Sequence, residues 1–184
     1  MLIERGKLLL TNERLILREF EKDDWMDVHQ YASQEIVCQY QSWGPNSEGE
    51  SKAFVDKIIK DAIQSPRIRF AFAIDFNGHM IGAGELNVRD ETNGEISYII
   101  NPNYWGKGFA TEVANSLIDF GYKELKLHRI YATCNPRNIG SLRVLEKVGM
   151  TQEGRLRENV LIKDGYRDSY VYSMLKHEWG RKRN

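Results

Sequence analysis

The stretch EISYIINPNYWGKGFATE, residues 95–112, decides the fold of this 184-residue chain. Its first half reads as a strand, two glycines follow at Gly106 and Gly108, and a helical pattern then covers residues 111–125. A glycine-rich turn that enters a helix exposes unpaired backbone N–H groups, and the helix dipole adds partial positive charge there. Glycine also lets an anion approach without a Cβ in the way. The junction therefore predicts a phosphate or pyrophosphate site.

The two glycines by themselves leave an ordinary turn as an equal alternative. A Walker loop is excluded, because no Gly-Lys-Ser/Thr follows at the required spacing. The dinucleotide fingerprint is excluded too, because its third glycine is missing and the preceding strand belongs to an antiparallel run. The choice between a ligand and a simple turn depends on the rest of the chain.

The elements around this junction predict the fold class. Asn77–Gly78 and Asn93–Gly94 are tight-turn signals that join three antiparallel strands, the last of them at residues 95–102. The full predicted order is strand, two helices, three antiparallel strands, helix, strand, helix and two strands, with a final turn KDG at residues 163–165. This order predicts an α+β fold with a mostly antiparallel mixed sheet of about seven strands, flanked by helices, in a single domain over residues 1–184.

Composition and charge favour a globular cytoplasmic protein. Hydrophobic residues make up 41% and charged residues 28% of the chain, and the formal net charge is +0. No basic excess points to nucleic acid, and the terminal GRKRN is interpreted as a solvated tail. No apolar run reaches signal-peptide or membrane-span length, so we expect no membrane partner. Cys38 and Cys134 are expected to be reduced thiols, and the four histidines show no metal spacing.

Four motifs in this chain carry a family resemblance. The stretch INPNYWGKGFATE aligns Trp105, Gly108 and Ala110 with the pattern Gln/Arg-x-x-Gly-x-Gly/Ala of a CoA pyrophosphate loop. NPRNIGSLRVLEKVGM (135–150), KDGYRDSYVYSMLKHEW (163–179) and TNERLILREFEKDD (11–24) supply the other three matches. Together they resemble the GNAT (Gcn5-related) N-acetyltransferases, in particular the RimJ/RimL-like branch. Trp105 departs from the general pattern, since it replaces a polar residue.

The resemblance implies acetyl-CoA as co-substrate and a sheet splayed between the fourth and fifth predicted strands. The pantetheine arm would enter that gap and pair with the backbone of residues 98–100, and the N–H of Ile99 or Ile100 would polarise the thioester carbonyl. The backbone N–H groups of residues 106–111 would hold the pyrophosphate. The residues expected to contact acetyl-CoA are Tyr98, Ile99, Ile100, Gly106, Lys107, Gly108, Phe109, Ala110, Thr111, Asn135, Asn138 and Ser141. No metal is expected.

Direct attack of an amine on the thioester needs a group that removes a proton from the amine. Glu95, at the start of the strand 95–102, is the first candidate for this base. Glu85 on the preceding strand and Glu158 in the final hairpin are rivals. The alternative for Glu95 is an exposed charge after the Asn93–Gly94 turn.

The leaving thiolate also needs a hydrogen-bond donor. Many family members carry a tyrosine at the position of Leu145, which cannot donate a proton. Ser141, one helical turn earlier, is therefore expected to reach the CoA sulfur, with local backbone bonding as its alternative role. Asn138 is expected both to cap this helix and to contact CoA. Cys134 is interpreted as a small buried hydrophobe.

The resemblance implies an amine acceptor but leaves its identity open. The first candidate is the N-terminal α-amine of a protein such as a ribosomal protein, and the alternative is a small amine: a polyamine, an amino acid or an aminoglycoside. A non-catalytic acyl-CoA sensor is a third reading, and a monomer or a homodimer is expected. The aromatic or charged residues expected to border the acceptor cleft, or else to pack in the core, are Tyr31, Tyr40, Trp43, Tyr166, Arg167 and Tyr170.

Overall fold

The chain folds around one sheet that helices cover on both faces. The structure, a computed structural model, describes residues 2–4, 7–162 and 165–182. The strands are β1 (Leu2–Glu4), β2 (Lys7–Thr11), β3 (Ile16–Arg18), β4 (Arg69–Phe76), β5 (His79–Val88), β6 (Asn93–Ile100), β7 (Arg129–Cys134), β8 (Thr151–Ile162) and β9 (Gly165–Leu175). The helices are α1 (Trp25–Ala32), α2 (Glu35–Cys38), α3 (Glu48–Ala62), α4 (Phe109–Lys123), α5 (Ile139–Val148) and α6 (Lys176–Lys182).

The predicted fold class is confirmed, and the strand count is corrected. Within the described ranges the sheet has nine strands in the order β1-β2-β3-β4-β5-β6-β7-β9-β8, rather than about seven. Neighbouring strands are antiparallel except β6 and β7. The prediction missed β1 and β2 because Glu4 and Lys7 interrupt the apolar pattern of these short strands. The predicted KDG turn falls partly on Lys163 and Asp164, which lie outside the described residues.

Local signals set the ends of the helices that border the site. Ser47 accepts a hydrogen bond from the Glu50 N–H at 3.3 Å, and the Glu50 carboxylate accepts from the Ser47 N–H at 2.8 Å. This capping box begins α3. The Asn138 side chain caps α5, which ends at Gly149 in the left-handed conformation with φ 86°. No helix in the part of the chain that the structure describes is both long and apolar enough to span a membrane.

Each face of the sheet has its own hydrophobic core. Ile96 and Ile130 pack with Leu117 of α4 on one face, and all three are at most 2% exposed. On the other face, α1 and α3 contribute Val28 and Val55, which pack against small residues of β4 and β5. The face under α1 and α3, where the sequence predicts the amine acceptor, is called the acceptor face below. The face under α4 and α5, where it predicts the acetyl donor acetyl-CoA, is called the donor face.

The predicted splay lies between β6 and β7. These strands pair only where residues 93–95 lie beside residues 129–131. β6 then stays on β5 as far as Ile100, while β7 stays on β9 as far as Cys134. A Cβ at Gly82 of β5 would lie 2.1 Å from the Ile99 carbonyl oxygen, so only glycine allows this close approach of β6 to β5. The two pairings therefore diverge and leave a gap in the middle of the sheet.

Candidate active site

A cavity of about 970 Å³ crosses the gap between β6 and β7. One end is formed by the loop before α4 and by the first turn of α5, and the other by the segment from α1 to α3. Its walls include Tyr98 and Ile99 of β6 and Thr133 and Cys134 of β7. The cavity thus joins the predicted CoA loop to the predicted acceptor region.

The loop before α4 presents free backbone donors at one end of this cavity. Gly106 and Gly108 have φ angles of 75° and 83°, in the left-handed region that favours glycine. Among the described residues, no acceptor binds the backbone N–H groups of residues 106–110, whereas the Thr111 N–H donates to the Gly108 carbonyl at 3.0 Å. A Cβ at Gly106 would meet nothing within 4 Å. Free N–H groups at an open helix N-terminus fit a pyrophosphate.

The Lys107 side chain turns away from this cradle. Its ammonium group donates to the Asn103 carbonyl at 3.3 Å and lies 5.0 Å from the centre of the Tyr104 ring. Trp105, which replaces the polar residue of the family pattern, donates its indole N–H to the Ile100 carbonyl at 2.7 Å. The indole therefore ties the loop to the end of β6, a contact that the sequence prediction missed.

Arg14 braces the loop from a distant part of the chain. Its guanidinium donates to the Lys107 carbonyl at 2.9 Å and, through Nε, to Glu112 at 2.7 Å. The same guanidinium lies 4.6 Å from the centre of the Phe109 ring. The sequence prediction missed this brace, because the residues it joins are far apart in the chain and no local pattern marks the contact.

A tyrosine, a serine and a cysteine meet where the cavity passes the donor face. The Tyr98 hydroxyl lies 3.0 Å from the Ser141 Oγ. Burial raises the pKa of Tyr98, so its phenol stays protonated. Cys134 is 5% exposed, and burial raises its pKa as well, so this thiol is not an activated nucleophile. Leu145, at the position of the family tyrosine, is 1% exposed and offers no donor.

The two asparagines predicted to contact CoA line the same end of the cavity. The Asn138 Oδ1 accepts the Ser141 N–H at 3.1 Å, which fixes the serine at the start of α5. The Asn135 Oδ1 accepts the Arg137 N–H at 2.9 Å. Both side-chain oxygens are therefore engaged with backbone, which leaves the side-chain NH2 groups as the donors that these residues can still offer.

The three candidate bases occupy different surroundings. Glu85 lines the cavity and accepts two hydrogen bonds from Arg69, at 2.9 and 2.7 Å. Glu95 does not line the cavity; it pairs with Arg89 and accepts a hydrogen bond of 3.2 Å from Thr133, which does line it. Glu158 lies in a separate concavity on the β8–β9 hairpin. Among the three, only Glu85 forms part of the cavity wall.

Aromatic side chains and one arginine line the acceptor end. The aromatic residues in this wall are Tyr31, Tyr40, Trp43 and Phe54. Arg167 of β9 is also in the wall, whereas Tyr166 and Tyr170 are not. Tyr166 is 66% exposed, and Tyr170 packs against the core of the donor face. Among the described residues, no group of three or more His, Cys, Asp or Glu side chains is arranged to hold a metal ion.

A splayed mixed sheet with an anion-binding loop beside the gap is typical of acyltransferases that use a CoA thioester. Residues 14–151 match the family described as the acetyltransferase (GNAT) domain, and the chain belongs to this family. It is an N-acetyltransferase, as the sequence predicted.

Two curated relatives cover nearly the whole chain. The chain is 37% identical over 170 residues to an uncharacterised N-acetyltransferase, YnaD, of Bacillus subtilis (strain 168), with 92% of this chain and 98% of that protein covered. It is 30% identical over 171 residues to the spermidine N(1)-acetyltransferase of Escherichia coli (strain K12), with 89% and 87% covered.

Solved structures share the fold over a similar length. A GNAT-family acetyltransferase from Bacillus anthracis has a TM-score of 0.83 at 34% identity and covers 93% of this chain and 100% of its own. The spermidine N-acetyltransferase of Vibrio cholerae, in complex with CoA and spermine, has a TM-score of 0.78 at 27% identity and covers 91% and 99%. The ribosomal α-N-protein acetyltransferase RimL, in complex with CoA, has a TM-score of 0.80 at 18% identity, covers 91% and 98%, and shows the fold alone.

Proposed function

We propose that this protein transfers the acetyl group of acetyl-CoA to a primary amine of a small molecule, within the cavity that crosses the splayed sheet. The observation that carries the proposal is the continuity of this cavity, which runs from the free N–H groups before α4 to the Glu85 carboxylate. The solved relative from Vibrio cholerae, which was crystallised with CoA and an amine, supports the pairing of these two ligands.

The CoA half would be held mainly by backbone. The N–H groups of residues 106–110 suit the pyrophosphate, and the β6 edge beyond Glu95, which faces no strand, suits the pantetheine arm. Ile99 or Ile100 would direct a backbone N–H at the thioester carbonyl. The Ile100 carbonyl oxygen already accepts from Trp105, so at Ile100 the N–H group remains for the ligand.

In the reaction, the neutral amine nitrogen forms a C–N bond with the thioester carbon, and the C–S bond then breaks with its electron pair on sulfur. The nitrogen loses its surplus proton to a carboxylate or to water, and the thiolate later takes a proton from water. Ser141 donates a hydrogen bond to the departing sulfur. The Tyr98 hydroxyl lies 3.0 Å from the Ser141 Oγ. In this proposal the phenol is the donor of the pair, which leaves the serine O–H for the sulfur.

Glu85 is proposed as the group that accepts the amine proton, directly or through one water. It is the candidate carboxylate in the cavity wall, and its two bonds from Arg69 hold it in place. Glu95 remains an alternative that would act through Thr133. Glu158 is the least favoured, because it lies in a different concavity.

The relatives favour a small amine over a protein N-terminus as acceptor. A spermidine enzyme is 30% identical along 89% of the chain, whereas a putative ribosomal N-acetyltransferase of Bacillus subtilis (strain 168), YdaF, is 32% identical along only 56% of it, and RimL, at 18% identity, supports only the fold. The RimJ/RimL-like branch therefore rests mainly on the sequence motifs. The N-terminal α-amine expected from the sequence remains a prediction that the same assay tests.

The test is release of free CoA thiol from acetyl-CoA in the presence of single acceptors. The acceptors are spermidine, L-phenylalanine, an aminoglycoside and short peptides with free N-termini. We expect at least one small amine to raise thiol release above the acceptor-free rate. Release with peptides alone would assign a protein acceptor. Tight acetyl-CoA binding without release for any acceptor would contradict the enzymatic role and favour the acyl-CoA sensor.

A further inference from the structure

Arg167 stands in the wall of the cavity, and none of the carboxylates that the structure describes forms an ion pair with it. Its Nη1 donates to the Ser169 Oγ at 3.0 Å and to the Asp168 carbonyl at 3.2 Å, both neutral acceptors. Its Nε is buried and has no hydrogen-bond partner. Burial lowers the pKa of this guanidinium; among the described residues the Cys134 thiol acts in the opposite direction, and no carboxylate does.

Other partly buried arginines in the described ranges are all paired with carboxylates. Arg18 pairs with Asp24, Arg67 with Glu19, Arg69 with Glu85 and Asp61, and Arg129 with Glu153. An unpaired buried cation is costly, and the cost is removed when an anion binds to it. The exception therefore points to a ligand that carries a negative charge.

The face of the sheet that carries the Arg167 side chain limits which anion can reach it. Side chains alternate between the faces of a strand, so Arg167 shares a face of β9 with Val171, which pairs with Thr133 of β7. Thr133 in turn hydrogen-bonds Glu95, which is on the face of β6 under α1 and α3. Arg167 is thus on the acceptor face, the face that also carries Glu85.

The anionic parts of CoA do not meet this requirement. The pyrophosphate cradle at residues 106–110 lies at the other end of the cavity, before α4. The sulfur site, at Tyr98 and Ser141, belongs to the donor face. The acceptor is the remaining reactant that can bring a negative charge to Arg167.

We propose that Arg167 binds a carboxylate of the acceptor, so that the substrate is an amine that also carries a carboxylate, as an α-amino acid does. This inference rests on the proposed function and narrows its substrate class. Glu85 receives the amine end, and Arg167 receives the carboxylate through its Nη2 group, since Nη1 already donates to Ser169 and to the Asp168 carbonyl and Nε is buried. The aromatic wall of Tyr40, Trp43 and Phe54 suits an apolar side chain. Spermidine carries no anion, so the inference separates this chain from its spermidine-acetylating relatives.

The first experiment compares three matched acceptors: L-phenylalanine, L-phenylalaninamide and phenethylamine. For the wild type we expect the highest kcat/KM with the acid. In Arg167→Gln, kcat/KM for the acid falls about ten- to hundredfold, the loss expected for a charged hydrogen bond, while the amide and the amine change little. Arg167→Lys restores part of the loss. Arg157→Gln, an exposed arginine on the same hairpin, is the matched control and keeps the wild-type ratio.

The second experiment does not depend on turnover. NMR of the arginine Nε–H groups, with CoA bound, follows the Arg167 signal, which is assigned by its loss in Arg167→Gln. Addition of L-phenylalanine shifts this signal, whereas addition of L-phenylalaninamide does not. If a set of apolar amino acids leaves the signal unchanged, the inference is overturned, even where thiol release with other amines upholds the proposed function. A shift without any thiol release upholds the carboxylate site and contradicts the enzyme proposal.

Discussion

The two ends of the cavity are built in different ways. The donor end consists of backbone N–H groups in one short stretch, residues 106–110, and of the unpaired edge of β6. The acceptor end consists of side chains from distant elements, among them Tyr31 of α1, Glu85 of β5 and Arg167 of β9. Backbone donors are independent of side-chain identity, so the donor end suits a ligand common to the whole family. Side chains can change one at a time, so we expect the acceptor end to set the choice of amine.

This division predicts that substitutions at one end leave the other end intact. Acceptor-end variants should change kcat and the acceptor KM while acetyl-CoA still binds. Donor-end variants should change the acetyl-CoA Kd while the preference among amines is kept.

Replacement of the cavity carboxylate should have the largest effect. In Glu85→Gln we expect kcat to fall about a hundredfold or more, because a general base is lost, with an unchanged acetyl-CoA Kd. The loss should be partly relieved at high pH, where the amine is neutral without help. Glu19→Gln, which removes the partner of another half-buried arginine away from the cavity, controls for lost stability. A larger loss in Glu95→Gln than in Glu85→Gln would transfer the role to Glu95.

At the donor end, Gly108→Val should act on binding. Gly108 has φ 83°, and a β-branched residue there costs about 1–3 kcal/mol of backbone strain in addition to blocking the anion. We expect the acetyl-CoA Kd from calorimetry to rise about ten- to hundredfold, with the order of preference among amines unchanged. Gly154→Val, at a β8 position with nothing within 4 Å of the added Cβ, is the control. An unchanged Kd would contradict the assignment of the loop.

The accuracy of the sequence prediction follows the same division. The glycine pair, the turn signals and the capping residue Asn138 are local patterns, so the sequence predicts the loop, the succession of strands from β3 to β9 along the chain and the start of α5. The splay was implied by the family resemblance and agrees with the short β6–β7 pairing. The Arg14 brace, the Tyr98–Ser141 pair and the Arg69–Glu85 pair join residues that only the tertiary fold brings together. Glu95 as the base stays a prediction; that Glu85 lines the cavity and Glu95 does not is a tertiary fact that local patterns do not contain.

The Tyr98–Ser141 pair lies between the two ends and should affect kcat alone. Tyr98→Phe removes the bond that orients the serine, and we expect kcat to fall about tenfold with little change in either KM. Ser141→Ala should cause a similar loss, and the double variant should lose no more than the single ones. Because burial raises the pKa of Tyr98, wild-type kcat should not decline through ionisation of this phenol until well above pH ~10.

Additive losses in that double variant would contradict a joint role for the two hydroxyls. The control is Tyr172→Phe, which removes another buried hydroxyl. This hydroxyl donates to the Gln152 side chain at 3.1 Å and does not line the cavity, so kcat should be unchanged.

The smallest effect is expected at the loop brace. Arg14→Met removes the contacts to the Lys107 carbonyl and to Glu112, an ion pair on the surface. Such pairs contribute about 0–1 kcal/mol, so the acetyl-CoA Kd should rise no more than about fivefold. Because salt screens exposed charges, the difference from wild type should shrink at high ionic strength. Arg155→Met, which breaks the pair with Asp168 on the hairpin, should leave this Kd unchanged.

The gap between β6 and β7 also makes this protein's rigidity depend on its co-substrate. In the free protein, the β6 edge beyond Glu95 has no neighbouring strand, so amides on both sides of the gap should exchange with deuterium through local opening. A pantetheine arm bound along this edge would act as a missing strand and close the sheet. At a CoA concentration about 100 times the Kd, mass action adds about 2.7 kcal/mol to the free energy of unfolding. The melting temperature should therefore rise with the CoA concentration, and deuterium uptake should slow first along β6 and β7.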